Sequence, residues 1–141
     1  MKTQVNGSAV AMPAGAPGNL TYNLDNSSAT FSANFAAGTV QTEINLVPTT
    51  TVNSQTATGN GMQLLTYALP AITLGTLSGT GSIATGTQRF SGTLTASVGP
   101  FSNGNFGGAF FGPQAAEFGF AFAAVGPAAG TAVTGTVVGG K

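Results

Sequence analysis

The chain has no cysteine, no histidine and no tryptophan among its 141 residues, and it carries few charges: Lys2, Arg89 and Lys141 against Asp25, Glu43 and Glu117. Each shortage removes a class of chemistry. Without cysteine there are no disulfides and no thiolate metal sites. Without histidine the commonest general base and the commonest haem or metal ligand are missing. Three cations scattered from end to end form no basic patch to follow a phosphate backbone, so nucleic acid is not an expected partner. No apolar run approaches the ~18 residues of a membrane-spanning helix. The opening MKTQVNGSAVAMPAGAPG also lacks the continuous apolar centre of a signal peptide. Either a leader has been removed or the chain is one module of a longer protein. Zero net charge at this low charge density gives little protection against self-association.

What the sequence does have is alternation, the mark of half-buried strands. Leu20, Tyr22 and Leu24 alternate with Thr21, Asn23 and Asp25. Phe31, Ala33 and Phe35 follow with the same period, and then Val40, Thr42, Ile44 and Leu46. Further strands are expected within 65–69, 72–84, 90–98, 105–111, 118–124 and 131–138. Turn pairs such as Asp25-Asn26, Ala37-Gly38, Gly86-Thr87 and Gly126-Pro127 separate them. No segment combines helical spacing with caps. The expectation is an all-β protein, a single eight-stranded antiparallel β-barrel over residues 19–141, preceded by a flexible segment over 1–18.

Residues 104–124, GNFGGAFFGPQAAEFGFAFAA, hold six of the ten phenylalanines. On two strands, Phe106 and Phe110 fall on one side of the first, and Phe118, Phe120 and Phe122 on one side of the second. Glycine or alanine takes most of the opposite positions. A small closed barrel needs large side chains inside and glycines where strands bend or run close together. Gly112-Pro113 stops the first strand, leaving room for one helical turn near 113–117.

Within that stretch GGAFFGPQAAEFG, residues 107–119, resembles the Gly-x-Phe-Phe/Tyr-Gly-Pro-x-Ala-x-Glu-x-Gly-Gly signature of the transferrin-binding protein B-like β-barrel domain. The end, GTAVTGTVVGGK, is similar to the closing strand of those domains, and SATFSANFAAGTVQTEINL over 28–46 resembles their aromatic-rich hairpin. Phe120 stands where the family often has a second glycine, and the last strand has no phenylalanine. The resemblance implies an eight-stranded barrel on a bacterial outer surface, often part of a lipoprotein. Members bind host proteins such as transferrin, lactoferrin or complement factor H, and some carry haem. It assigns Phe110, Phe111, Gly112, Pro113, Ala115 and Glu117 to structural positions. Partner contacts in the family lie on variable loops, so no binding residue carries over.

The residues themselves name few sites. Asp25 and Glu43 are the only carboxylate pair worth weighing for glycosidase chemistry, yet each sits on the polar phase of its strand or turn, and no enzyme is expected. Glu117 reads as a structural acid whose carboxylate accepts loop N–H groups and ties the 112–117 turn to the barrel end. Arg89 has Glu43, Glu117 or water as its options. No cofactor is expected. A haem would have only Tyr22, Tyr67 or a methionine as axial ligand, and Tyr22 is in phase with core leucines. The polar stretch 48–61, PTTTVNSQTATGNG, reads as a long loop, with Thr49, Thr50, Thr51, Asn53, Gln55 and Asn60 as possible binding residues. Two functions follow as expectations. One is a noncatalytic cell-surface module that recognises a protein partner through its loops. The other is a structural module of an adhesin, surface layer or filament that associates with copies of itself.

Overall fold

The computed structural model describes residues 2–12, 18–49, 51–58, 61–68, 70, 72–96, 99–128 and 130–140. It is built of strands: β1 (Lys2–Ala11), β2 (Leu20–Asn23), β3 (Ser28–Asn34), β4 (Thr39–Asn45), β5 (Thr51–Thr58), β6 (Gly61–Ala68), β7 (Thr76–Ile83), β8 (Arg89–Ala96), β9 (Asn103–Phe111), β10 (Glu117–Val125) and β11 (Ala132–Gly140). A single 3-10 turn, Pro113–Ala115, lies between β9 and β10, where the sequence predicts one helical turn. Nine strands form one antiparallel sheet in the order β2-β1-β11-β10-β9-β8-β7-β4-β3, and β5 pairs with β6 alone. Among the described residues no helix is long and apolar enough to cross a membrane.

The all-β, barrel-like expectation holds, but the strand count and one boundary differ. Residues 2–11, expected to be flexible, form a full strand that runs beside β11 from Lys2↔Gly140 to Val10↔Ala132. Its inward residues are Val5, Ala9 and Ala11, all buried. Small side chains and Gly7 gave the segment too little hydrophobicity to read as a strand, and tertiary pairing decides it. The sheet curls so that its end strands, β2 and β3, are consecutive in the chain, joined by the turn at Asp25 and Asn26. In that turn Ser27 N–H donates to Leu24 O at 2.9 Å, and Asp25 N–H to Asn23 Oδ1 at 2.7 Å. Leu24 N–H donates to the Gly7 carbonyl at 3.0 Å, extending the β1–β2 ladder, and across the seam the Thr3 hydroxyl donates to the Ala29 carbonyl at 2.7 Å.

Phenylalanines fill the cylinder as their phase requires. Phe31, Phe90, Phe106, Phe110, Phe118, Phe120 and Phe122 are all buried. Phe31 stacks on Phe118 with centroids 4.3 Å apart, Phe90 meets Phe110 at 4.9 Å, and Phe106 meets Phe120 at 5.5 Å. Burial of each ring is worth roughly 2–3 kcal/mol, with a further fraction from the tilted ring pairs. Several inward positions paired with these rings are glycines, among them Gly92 opposite Phe106, Gly108 opposite Phe90 and Phe120, and Gly135 opposite Phe122. A Cβ on Gly92 would come within 2.7 Å of Phe106 Cε1, and one on Gly135 within 2.7 Å of Phe122 Cζ. The ring volume is therefore available only because the opposite residues have no side chain. Thr42, in phase with Val40 and Ile44, is buried and donates its hydroxyl to the Thr30 carbonyl at 2.8 Å, which offsets its burial. Phe35 departs from the expected phase: β3 ends at Asn34, and Phe35 is exposed at the barrel mouth.

Candidate functional site

Residues 46–75 connect two strands that pair directly, β4 and β7, and Leu46 and Leu74 near the two ends stay buried in the core. The base of this excursion is tied down. Leu46 N–H donates to Gly75 O at 3.0 Å, and Thr49 N–H to Asn23 O at 2.8 Å. Val47 N–H donates to Ser27 Oγ at 2.7 Å, and the Tyr22 phenol to Pro70 O at 2.7 Å. Tyr22 is fully buried, and that burial pushes its phenol above the ordinary pKa by disfavouring the phenolate. Its hydroxyl is engaged with the Pro70 carbonyl; the Tyr67 side chain, another of the haem alternatives, lies outside what is described.

Beyond this base the expected loop over 48–61 is not one. Thr51–Thr58 forms β5, pairing with β6 from Thr51↔Ala68 to Thr58↔Gly61. Threonine and valine favour extended backbone, and a partner strand absent from local pattern supplies the ladder. Thr49 sits in the isolated bridge to Asn23. Thr51, Asn53 and Gln55 lie in β5 opposite Ala68, Thr66 and Leu64. Thr50 and Asn60 lie outside the described residues. The stretch of possible binding residues is therefore mainly one strand of a hairpin carried on a fixed base.

The motif residues sit together at one end of the barrel. Gly112 takes a left-handed φ of 76°, which lets the chain turn out of β9 into the 3-10 turn, and Ala115 holds φ 54°, a conformation that is strained for a residue with a Cβ. Ala115 packs on the core and lines a mouth of about 390 Å³ with Phe35, Thr87, Gln88 and Phe110. Phe35 lies over Phe110 at 5.0 Å. Phe110 points in and Phe111 out. Glu117 is exposed on the outer wall, opposite Phe111 in the ladder. Among the described residues no loop N–H reaches its carboxylate, so it does not tie down the 112–117 turn; Gly112 and Pro113 shape that turn by backbone conformation alone. Asp25 lies in the seam turn and Glu43 on the outer wall of β4, each exposed. Arg89 is exposed on β8, and among the described residues it forms no ion pair.

The outer wall itself has two characters. Over β3, β4, β7 and β8 it is a hydroxyl and amide surface, with a shallow groove of about 410 Å³ lined by Thr30, Gln41, Glu43, Ser78, Thr80 and Thr93. Over β9, β10 and β11 it is largely glycine, alanine and threonine, with Phe111, Val125 and Val138 exposed. Alternation in the sequence announces outward positions but not how they group across strands, so this division and Phe101, buried ahead of β9, are visible only in the fold. Among the described residues no cluster of acids could hold a metal ion. No protein-family model matches the chain, and no curated protein matches it.

Proposed function

We propose that the chain is a noncatalytic bacterial surface module, similar in kind to the transferrin-binding protein B-like barrels, that holds a macromolecular partner on the excursion over 46–75. The observation that carries this reading is the construction of the excursion. Its base is fixed to buried Tyr22 and to Asn23, while among the described residues β5 and β6 pair only with each other. A ring-filled barrel that carries on a fastened base a hairpin with one polar strand, β5, and one apolar-rich strand, β6, suits recognition by a presented loop. The GPQA turn and its neighbours are scaffold in this reading, and the exposed, separately placed carboxylates have no catalytic task.

The test is retention of a protein by the immobilised chain from animal serum, compared with a variant in which 51–68 is replaced by a short Gly-Ser link. Retention by the intact chain and loss in the shortened one is the expected result. Equal retention, or none by either, ends this reading.

A second reading has its own observation. Half of the outer wall carries exposed apolar side chains and almost no charge, which suits a structural module that packs against copies of itself. Sedimentation of the purified chain distinguishes the two, since the first requires a monomer and the second requires larger species.

A further inference from the structure

The outer face of β9–β11 carries both halves of a self-complementary contact. Phe111 is 51% exposed and Val138 47%. The Phe111 ring leans over Gly119, where an added Cβ would lie 3.4 Å from its Cε2 and 3.5 Å from Val138 Cγ1. One face of the ring is thus supported by the wall while the other faces solvent. Beside this knob is a hollow of about 640 Å³, lined by Thr3, Gln4, Glu117, Val138 and Gly140 as well as Phe111 itself. The hollow is open on the outer face because Gly140 ends β11 without a side chain, and at the rim it passes inward-phased Gly139 to reach Thr3 and the edge of Phe118.

We propose that this face is a pairing surface for a second copy of the chain: Phe111 of each copy enters the Gly139–Gly140 hollow of the other. The inference rests on the self-association reading above and gives it a surface. A knob and a hollow side by side on one face meet twice under a two-fold axis, which yields a closed dimer instead of an open chain. Charge offers little opposition to the approach: Glu117 at the rim is the charged residue on the outer positions of β9 to β11, and Lys2 of β1, opposite Gly140 in the ladder, has the opposite sign. Four neighbouring strands, β1 included, of about nine residues give a wall of roughly 19 by 30 Å. That is on the order of 600 Å² in projection, against about 800 Å² per partner in a standard interface. The pair therefore belongs at the small end, as a reversible dimer, with the aromatic knob its main anchor.

The experiment is sedimentation equilibrium of the whole chain from about 1 µM to about 1 mM, the span in which small interfaces associate. Wild type is compared with Phe111→Ser, Gly140→Val and Phe35→Ser, each first checked for an unchanged β spectrum by circular dichroism. A Cβ at Gly140 meets nothing nearer than 3.5 Å, so the valine fills the hollow without disturbing the strand. If Phe111→Ser fails to fold, Gly140→Val decides alone. The expected result is a wild-type dimer whose dissociation constant rises about tenfold or more in both wall variants. Phe35→Ser, which removes an exposed ring at the mouth, is expected to dimerise like wild type. Dimers in wild type that either wall variant leaves unweakened, or that Phe35→Ser weakens equally, overturn this surface and leave the broader reading standing. A wild type that stays monomeric throughout overturns both.

Discussion

The wall from β8 to β10 and the seam between β1 and β3 both help close the cylinder, but they do so with different materials. On the wall, Phe90, Phe106, Phe110, Phe118, Phe120 and Phe122 turn inward over an unbroken ladder. At the seam the inward residues are mostly small, Val5, Ala9 and Ala29, with Phe31 of β3 the ring that reaches across to Phe118, and the described residues form no β1–β3 ladder. Closure between those two strands falls to the Thr3 hydroxyl on the Ala29 carbonyl, while Leu24 N–H on the Gly7 carbonyl extends the β1–β2 ladder beside it. The wall is stabilised by volume removed from water and the seam by individual hydrogen bonds. Since area burial outweighs the net worth of one hydrogen bond, damage to the wall is expected to unfold the protein, and damage to the seam only to loosen it.

The largest effect should come from Phe120→Ala. That ring touches Phe31, Phe90, Phe106 and Phe118, so its loss removes buried area and leaves a cavity. About 3–5 kcal/mol of unfolding free energy should disappear in urea titration. Gly92→Ala comes next, from the opposite fault: its Cβ would collide with the Thr80 carbonyl and crowd Phe106, for about 1–3 kcal/mol of overpacking. If either variant unfolds at the wild-type urea midpoint, the aromatic wall is not what holds the barrel, and the comparison breaks.

Tyr22→Phe sharpens the seam side, because Tyr22 lies on β2 and fastens the 46–75 excursion. Pro70 is exposed and its carbonyl can turn to water, so the loss should be about 1 kcal/mol. The pH dependence is more telling. Burial raises the Tyr22 pKa above its ordinary 10.0, so the folded state holds that proton more tightly than the unfolded chain. Stability from this term is complete below pH 10 and falls as pH rises through the folded value. Wild type should therefore lose its advantage over Tyr22→Phe, measured as the difference between the two to cancel other titrations, on going from neutral pH to above pH 10. A difference that stays constant would mean the phenol is already in water.

The same contrast explains what could be read in advance. Phenylalanines at every second position declare an inward face on any strand, so Phe106, Phe110, Phe118, Phe120 and Phe122 were legible, as were Tyr22 and Thr42 beside aliphatic neighbours. β1 was not, because Val5, Ala9 and Ala11 are too small to raise the alternation above its glycine and asparagine background; pairing with β11 along its length and with β2 at its end makes that segment a strand. β5 was hidden in the same way by threonine, serine and asparagine that suit loops as readily as paired strands. The apolar face around Phe111 was half legible. Its outward phase could be read from the sequence, but the hollow beside it depends on β11 lying next to β10, which no local pattern contains.

Thr3→Val is the smallest expected change and the most specific to the seam. Valine keeps the size and extended preference of threonine, so only the hydrogen bond to the Ala29 carbonyl is removed. The global cost should be about 0.5–1 kcal/mol, close to the error of a denaturation curve. Its local consequence should be clearer. With that bond gone the edge of β3 is free to open without the wall, so amide hydrogen exchange should accelerate in β3 and the first half of β1 while β9 and β10 keep the wild-type rate. Uniform acceleration across all of these strands would show that seam and wall open as one unit, and that the separate roles assigned to them do not exist.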